Sequence, residues 1–215
     1  MTVPGRREAP PRIYAIADAG ALGATPLPDA VREMAEAGVR WIQVRAKRRS
    51  GSELYRMLEE SCRALEGSGA ALWVDDRADL AALFPVAGVH VGQADLPPAA
   101  ARLVVGEGVW IGQSTHGEEQ LAAADGDPAV DVIAVGPVFA TASKENPDPV
   151  VGLPFVRQAR ARTAKPLVAI GGIDAGNVAE VLAAGADTAA ALGAVCRGSL
   201  SEIRENCRRL LAAAG

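Results

Sequence analysis

Eight short apolar runs, each followed by a stretch whose apolar residues recur at helical spacing, set the strongest limit on how this chain can fold. The runs cover residues 12–17, 41–45, 71–74, 88–92, 109–113, 132–135, 166–170 and 188–192. They are nearly continuous in apolar residues, as strands buried on both faces are. Between them lie helices at 27–37, which buries Val31, Met34 and Ala35, and from near Ser52, with Leu54, Met57, Leu58 and Leu65 on one face. Shorter helices follow at 77–84, from Pro97 and Pro98, at 118–124 and at 154–162. Val178, Val181 and Leu182 mark the seventh, and Ile203, Cys207, Leu210 and Leu211 the last. Strict β–α alternation of this number has one common closed solution, the single (β/α)₈ TIM barrel, in the α/β class. An open doubly wound sheet is the rival, but no G-x-G-x-x-G follows the first strand. Gly38 and Gly185 sit where helices must stop in a left-handed turn.

The barrel takes residues 12–215 as one catalytic domain, and residues 1–11, polar and proline-rich, read as a flexible N-terminal tail. That tail has no apolar core, so it is neither a signal peptide nor a membrane anchor. With 22 basic and 26 acidic residues the net charge is −4, which excludes the broad basic surface a nucleic acid requires. Cys62, Cys196 and Cys207 are scattered without metal or redox spacing and read as reduced thiols of a cytoplasmic protein. A homo-oligomer is compatible with the sequence.

In such a barrel the C-terminal strand ends share one face and carry the active site. Strand two delivers Gln43, Arg45 and Lys47, strand three Asp75, Asp76 and Arg77, and strand four Gln93 and Asp95. Strand five delivers Ser114, Thr115 and His116, and the loop after strand six carries Thr141, Ser143 and Lys144. Gly171, Gly172 and Gly193 follow the last two strands, offering backbone N–H groups to a phosphate. Arg45, Lys47 and Lys144 are more positive charge than a monophosphate needs and suit a diphosphate. Asp76 and Asp95 would repel that diphosphate unless Mg²⁺ lay between, since hard oxygen ligands suit that ion. Two anion sites imply two small-molecule substrates and loss of pyrophosphate. The bland alternatives are that Asp76 and Asp95 cap the helices after them, and that His90 is a hydrogen-bonded barrel-interior residue.

The segments QVRAK (43–47), VDDRADLA (74–81), GVHVGQADLP (88–97), IGQSTH (111–116), GPVFATASK (136–144) and AIGGI (169–173) together resemble the thiamine phosphate synthase family. They occur in the family's order over residues 13–195. The resemblance implies a transferase that joins 4-amino-2-methyl-5-(diphosphooxymethyl)pyrimidine to thiazole phosphate and releases pyrophosphate. By that resemblance Gln43, Val44, Arg45, Ala46, Lys47, Asp75, Ser114 and Lys144 hold the pyrimidine diphosphate, with Arg45, Lys47 and Lys144 catalytic. Asp76 and Asp95 hold Mg²⁺, and Thr141, Ala142, Ser143, Gly172, Leu192 and Gly193 border the thiazole phosphate. The implied chemistry is dissociative: pyrophosphate leaves, the aminopyrimidine stabilises the methylene cation, and the thiazole nitrogen captures it.

The chain departs from the family twice. Asp75 stands where the family usually has Asn, and Gly193 where it usually has Ser. A third carboxylate beside a diphosphate is costly, so Asp75 is expected to join the metal shell or to pair with Arg77. The rivals are a thiazole tautomerase of the same fold, for which His116 would be the acid–base group, and a non-catalytic thiamine phosphate-binding barrel. A Schiff-base aldolase is disfavoured because Lys144 lies in a loop beyond its strand.

Overall fold

The computed structural model describes residues 9–141 and 148–215. Eight parallel strands close in sequence order into a barrel, with β8 paired back to β1. The elements are β1 (Ile13–Asp18), α1 (Leu27–Glu36), β2 (Trp41–Arg45), α2 (Gly51–Ala64), β3 (Ala71–Asp75), α3 (Ala78–Ala81), β4 (Gly88–Val91) and α4 (Pro98–Val105). They continue as β5 (Trp110–Thr115), α5 (Glu118–Gly126), β6 (Val132–Val135), α6 (Gly152–Arg162), β7 (Leu167–Ile170), α7 (Val178–Ala183), β8 (Thr188–Ala191) and α8 (Leu200–Ala214). The (β/α)₈ expectation holds, with boundaries displaced by one to three residues, the most at the end of α3. The displacement of consequence is in β5, which runs on to Thr115 and so carries Ser114 on the barrel wall, not in a loop.

Period-two alternation divides the core in two. Outward residues such as Val44, Val74, Val89, Ile111 and Ile133 pack against the helices. Inward residues fill the barrel: Tyr14, Ile16, Trp41, Trp73, Ala134, Val168 and Ala190. Four aromatic side chains crowd its lower part, with ring centroids 5.7 Å apart for Tyr14–Trp41, 4.8 Å for Trp41–Trp73 and 5.9 Å for Trp41–Trp110. Their bulk is accommodated by small residues on neighbouring strands. Gly88 faces Trp73 in register, and a Cβ there would lie 2.4 Å from the indole ring.

Helices α2 and α8 open with capping boxes, Ser50 with Glu53 and Ser199 with Glu202. At the lower rim the Pro11 carbonyl accepts from Thr188 Oγ1 at 2.7 Å, and Arg12 Nη1 donates to the Ala214 carbonyl at 2.8 Å. Residues 1–8 of the expected tail lie outside the described residues. Gly38 and Gly185 take φ 109° and 111°, ending α1 and α7 as their positions predict. Among the described residues no helix is long and apolar enough to cross a membrane.

The aromatic floor yields a stability test. Gly88→Ala drives a methyl group into a fully buried indole and should cost about 1–3 kcal/mol by overpacking. Gly108→Ala meets nothing within 4 Å and should change stability by no more than about 0.5 kcal/mol. Urea denaturation of the two variants compares them; equal costs would mean that the Trp73 ring is free to move aside.

Candidate active site

Above the aromatic floor the barrel opens into a cavity of about 1380 Å³ at the C-terminal strand ends. Its walls differ. Ile16, Ala134, Val168 and Ile170, from β1, β6 and β7, and Leu192, just past β8, give one apolar side. Gln43, Arg45, Asp75, His90 and Ser114, from β2 to β5, give the polar side. Strand alternation explains the second set: Trp41, Gln43 and Arg45 point inward in turn, as do Trp73 and Asp75.

Charges concentrate where β1 to β4 end. Arg45 Nη1 pairs with Asp18, and Arg45 Nε lies 3.5 Å from Asp75 Oδ2. Lys47 Nζ pairs with Asp76 and lies 3.4 Å from Asp75 Oδ2. Burial disfavours the Lys47 ammonium, but Asp75, Asp76 and Asp95 outweigh it and raise its pKa. Burial, then the neighbouring Asp76 charge, pushes Asp75 up to about 7 against the pull of Lys47 and Arg45. Burial also raises Asp76, and Asp95 adds to this against Lys47. Asp75 Oδ2 is buried without a hydrogen bond of good geometry. Asp76 sits at φ 59°, a left-handed conformation that costs a non-glycine residue energy and recurs at functional sites.

These contacts correct three expectations. Arg77 does not hold Asp75; its Nε and Nη2 are 2.8 and 2.6 Å from the Asp79 carboxylate. Neither Asp76 nor Asp95 caps a helix, because the N-cap positions of α3 and α4 are Arg77 and Pro97 and neither helix has a side-chain cap. Asp95 Oδ2 instead accepts the Gly92 N–H at 2.8 Å, bracing the turn after β4. Val44 and Ala46 turn outward toward the helices, Val44 fully buried there, so their side chains do not reach the cavity.

Deeper in the barrel, Gln43 Nε2 donates to Tyr14 Oη at 2.9 Å, which leaves the amide oxygen as an acceptor in the cavity. His90 Nε2 is 2.8 Å from Ser114 Oγ, the interior hydrogen bond expected of this histidine. The imidazole lies against Gly112, where a Cβ would come 2.5 Å from Nδ1. Enclosure and, secondarily, the Lys47 charge lower His90 to about 4, so it is neutral near pH 7. His116 Nδ1 donates to the Gly136 carbonyl at 2.7 Å, and its Nε2 faces Asp148 Oδ2 at 3.4 Å.

Thr141, Gly172, Leu192 and Gly193 line the opposite side of the same mouth. Gly171 and Gly172 have φ 103° and 65°, and a Cβ on either would come within 2.7 Å of the chain at Pro137 to Ala140. Glycine is therefore required twice over, by φ and by space. After β8 the N–H groups of Val195 and Cys196 fold back onto the Leu192 carbonyl at 3.1 and 3.0 Å. Among the described residues no backbone carbonyl accepts from the N–H groups of Gly193 and Ala194. The expected roles of Ala142, Ser143 and Lys144 fall outside the described residues. Among the described residues no three His, Cys, Asp or Glu side chains form a ready-made cation cage. Asp18, which holds Arg45, had no place in the sequence reading; its only signal was its position at the end of the first strand.

The sequence profile described as thiamine monophosphate synthase matches residues 13–195. A thiamine-phosphate synthase of Koribacter versatilis is 48% identical over 186 residues, covering 85% of this chain and 87% of the relative. One from Caldicellulosiruptor bescii is 41% identical over 158 residues, covering 74% and 72%. The solved thiamine phosphate pyrophosphorylase of Pyrococcus furiosus superposes with a TM-score of 0.84 at 30% identity, covering 94% of this chain and 95% of that one.

The lowered His90 pKa has a consequence for stability. An unfolded histidine titrates near 6.5, so between that pH and about 4 the unfolded chain binds more protons here than the folded one. The stabilisation is complete above the unfolded value and is lost as pH falls through the folded one. Between pH 7 and 4.5 this should remove about 1–3 kcal/mol in the wild type, and His90→Gln should flatten that part of the profile. Parallel slopes in urea melts would contradict a neutral enclosed imidazole.

Proposed function

Because the chain belongs to the thiamine monophosphate synthase family, we propose that it is a thiamine-phosphate synthase, a transferase that joins the pyrimidine diphosphate to thiazole phosphate and releases pyrophosphate. The observation that carries the reading is the alternation of Arg45 and Lys47 with Asp75, Asp76 and Asp95 in one cavity that also reaches the glycine turns after β7 and β8. An anionic substrate with a divalent cation answers that pattern; neither charge alone does.

The residues fit Mg²⁺. Asp76 and Asp95 lie close enough to raise the Asp76 pKa, and Asp75 Oδ2 is a buried acceptor without a hydrogen bond. Asp76 and Asp95 would hold the ion, with diphosphate oxygens and water completing its shell, which suits an ion that is seldom caged by protein alone. Bound there, Mg²⁺ supplies charge neutralisation to the departing pyrophosphate.

The chain's own groups do the rest. Arg45 and Lys47, with Lys144, neutralise the diphosphate as the bond to carbon lengthens. The Gln43 amide oxygen accepts from the pyrimidine amino group, and the Tyr14 hydroxyl fixes which way that amide faces. Ser114, held by neutral His90, meets the same substrate. The apolar wall excludes water from the methylene cation. Thr141, Ala142, Ser143, Gly172, Leu192 and Gly193 seat the thiazole phosphate, the glycine turns through backbone N–H groups. No side-chain nucleophile is used.

The deciding assay is pyrophosphate release by the purified protein with Mg²⁺ and both substrates. Release that does not depend on the thiazole phosphate would sink the reading. Turnover should vanish in excess chelator, and Asp76→Ala or Asp95→Ala should lower it by about 10- to 100-fold or more; a chelator-insensitive enzyme would remove the metal assignment.

The tautomerase reading is favoured by one observation: His116 reaches the cavity with its tautomer fixed by the Gly136 carbonyl. A dissociative displacement needs no side-chain proton transfer, so His116→Ala should keep synthase turnover within about tenfold of wild type. Near-complete loss would favour the tautomerase.

A further inference from the structure

We propose that Asp18 is the positioning residue that fixes Arg45 for the diphosphate, a role that rests on the synthase reading. Asp18 ends β1 and stands in register with Arg45, which ends β2. It is only 7% exposed, so its charge must be met inside the protein. Its two oxygens are divided between two tasks. Oδ1 accepts the N–H groups of Gly20 and Ala21 at 3.0 and 2.8 Å, and Oδ2 takes Arg45 Nη1. The Ala19 N–H donates to the Arg45 carbonyl at 2.9 Å, so side chain and backbone of the two residues are tied in parallel.

Asp18 does not line the cavity, whereas Arg45 does. The carboxylate therefore acts on a ligand only through the guanidinium. It is itself held in place by the turn after β1, whose Gly20 and Ala21 N–H groups donate to Oδ1. Arg45 has five N–H donors, and the contact to Asp18 occupies one end of the fork. Nε faces Asp75 at 3.5 Å, and the Nη2 N–H groups remain for a diphosphate oxygen, in an orientation set before the substrate arrives. Without the bracket, Arg45 would be free to swing toward Asp75, already 3.5 Å from Nε, and would lose rotamer freedom on binding.

The probe is inorganic pyrophosphate with Mg²⁺, titrated calorimetrically into wild type, Asp18→Asn, Arg45→Ala and the double variant. An asparagine carbonyl still accepts from Gly20 and Ala21 but cannot ion-pair with Arg45, so the turn is kept and the bracket lost. Asp18→Asn should weaken pyrophosphate binding about tenfold when Arg45 is present, and less than about twofold in the Arg45→Ala background. With the full reaction it should raise KM for the pyrimidine diphosphate and leave KM for the thiazole phosphate unchanged. Asp18→Ser, whose hydroxyl also accepts from the turn, repeats the cycle if the asparagine variant does not fold. Equal losses in both backgrounds would make Asp18 a loop support only and overturn the proposal, as would no loss with Arg45 present or no pyrophosphate binding by the wild type. Coupled binding losses in a protein without turnover would instead overturn the synthase reading and leave the bracket standing.

Discussion

The register of β2 against its neighbours is the constraint on which the site depends. Trp41, Gln43 and Arg45 point into the barrel because Tyr14 pairs with Trp41 and Asp18 with Arg45 on one side, and Trp41 pairs with Ala71 on the other. A slip of one residue would turn Gln43 and Arg45 toward the helices and put Val44 in the cavity. The slip is resisted from below, where Trp41 is wedged among Tyr14, Trp73 and Trp110. The aromatic floor thus has two effects. It fills the lower barrel, with the cavity above it, and it locks the strand that carries the first cation.

The electrostatics of the mouth follow from that placement. Arg45 and Lys47 face four carboxylates, Asp18, Asp75, Asp76 and Asp95. One of these carboxyls is pushed up to about 7 because burial makes a further negative charge expensive. Asp76 is held in a backbone conformation that a non-glycine residue rarely adopts. A site optimised for the stability of the empty protein would have fewer acids and more relaxed geometry. Under the proposed function the excess acid is one half of an arrangement whose other half is a cation and a diphosphate. Asp75, where the family usually has Asn, belongs to this group and is met by Arg45 and Lys47, not by Arg77.

Beneath the charges lies a layer of neutral polar contacts with a different task. Gln43 with Tyr14, and His90 with Ser114, each fix the direction of a group that lines the cavity. Such pairs are tolerated in a barrel interior because within each pair a donor meets an acceptor. They also separate the two readings of the fold. His90 is spent on holding a hydroxyl, whereas His116 keeps one ring nitrogen toward Asp148 at the rim.

The alternation of apolar runs with amphipathic helices was enough to specify the barrel, and the strand ends it implied bring Arg45, Lys47, Asp75, Asp76 and Asp95 to the cavity. Arg45, Lys47, Asp75, Asp76 and Asp95 were legible because each lies at or shortly past the end of a run whose direction is known, and Gln43 because it alternates with Arg45 along the same strand. The glycine turns were legible because only glycine suits such positions. What one strand meets on the next was not legible, since register and shear are settled by packing across the whole barrel. The sequence could not tell that Asp18 reaches Arg45, that Arg77 turns away to Asp79, or that β5 extends to bring Ser114 onto His90. Nor could it tell that Asp76 and Asp95 leave their helices uncapped. Those outcomes depend on distances between residues far apart in the chain, and closure of the barrel is what fixes them.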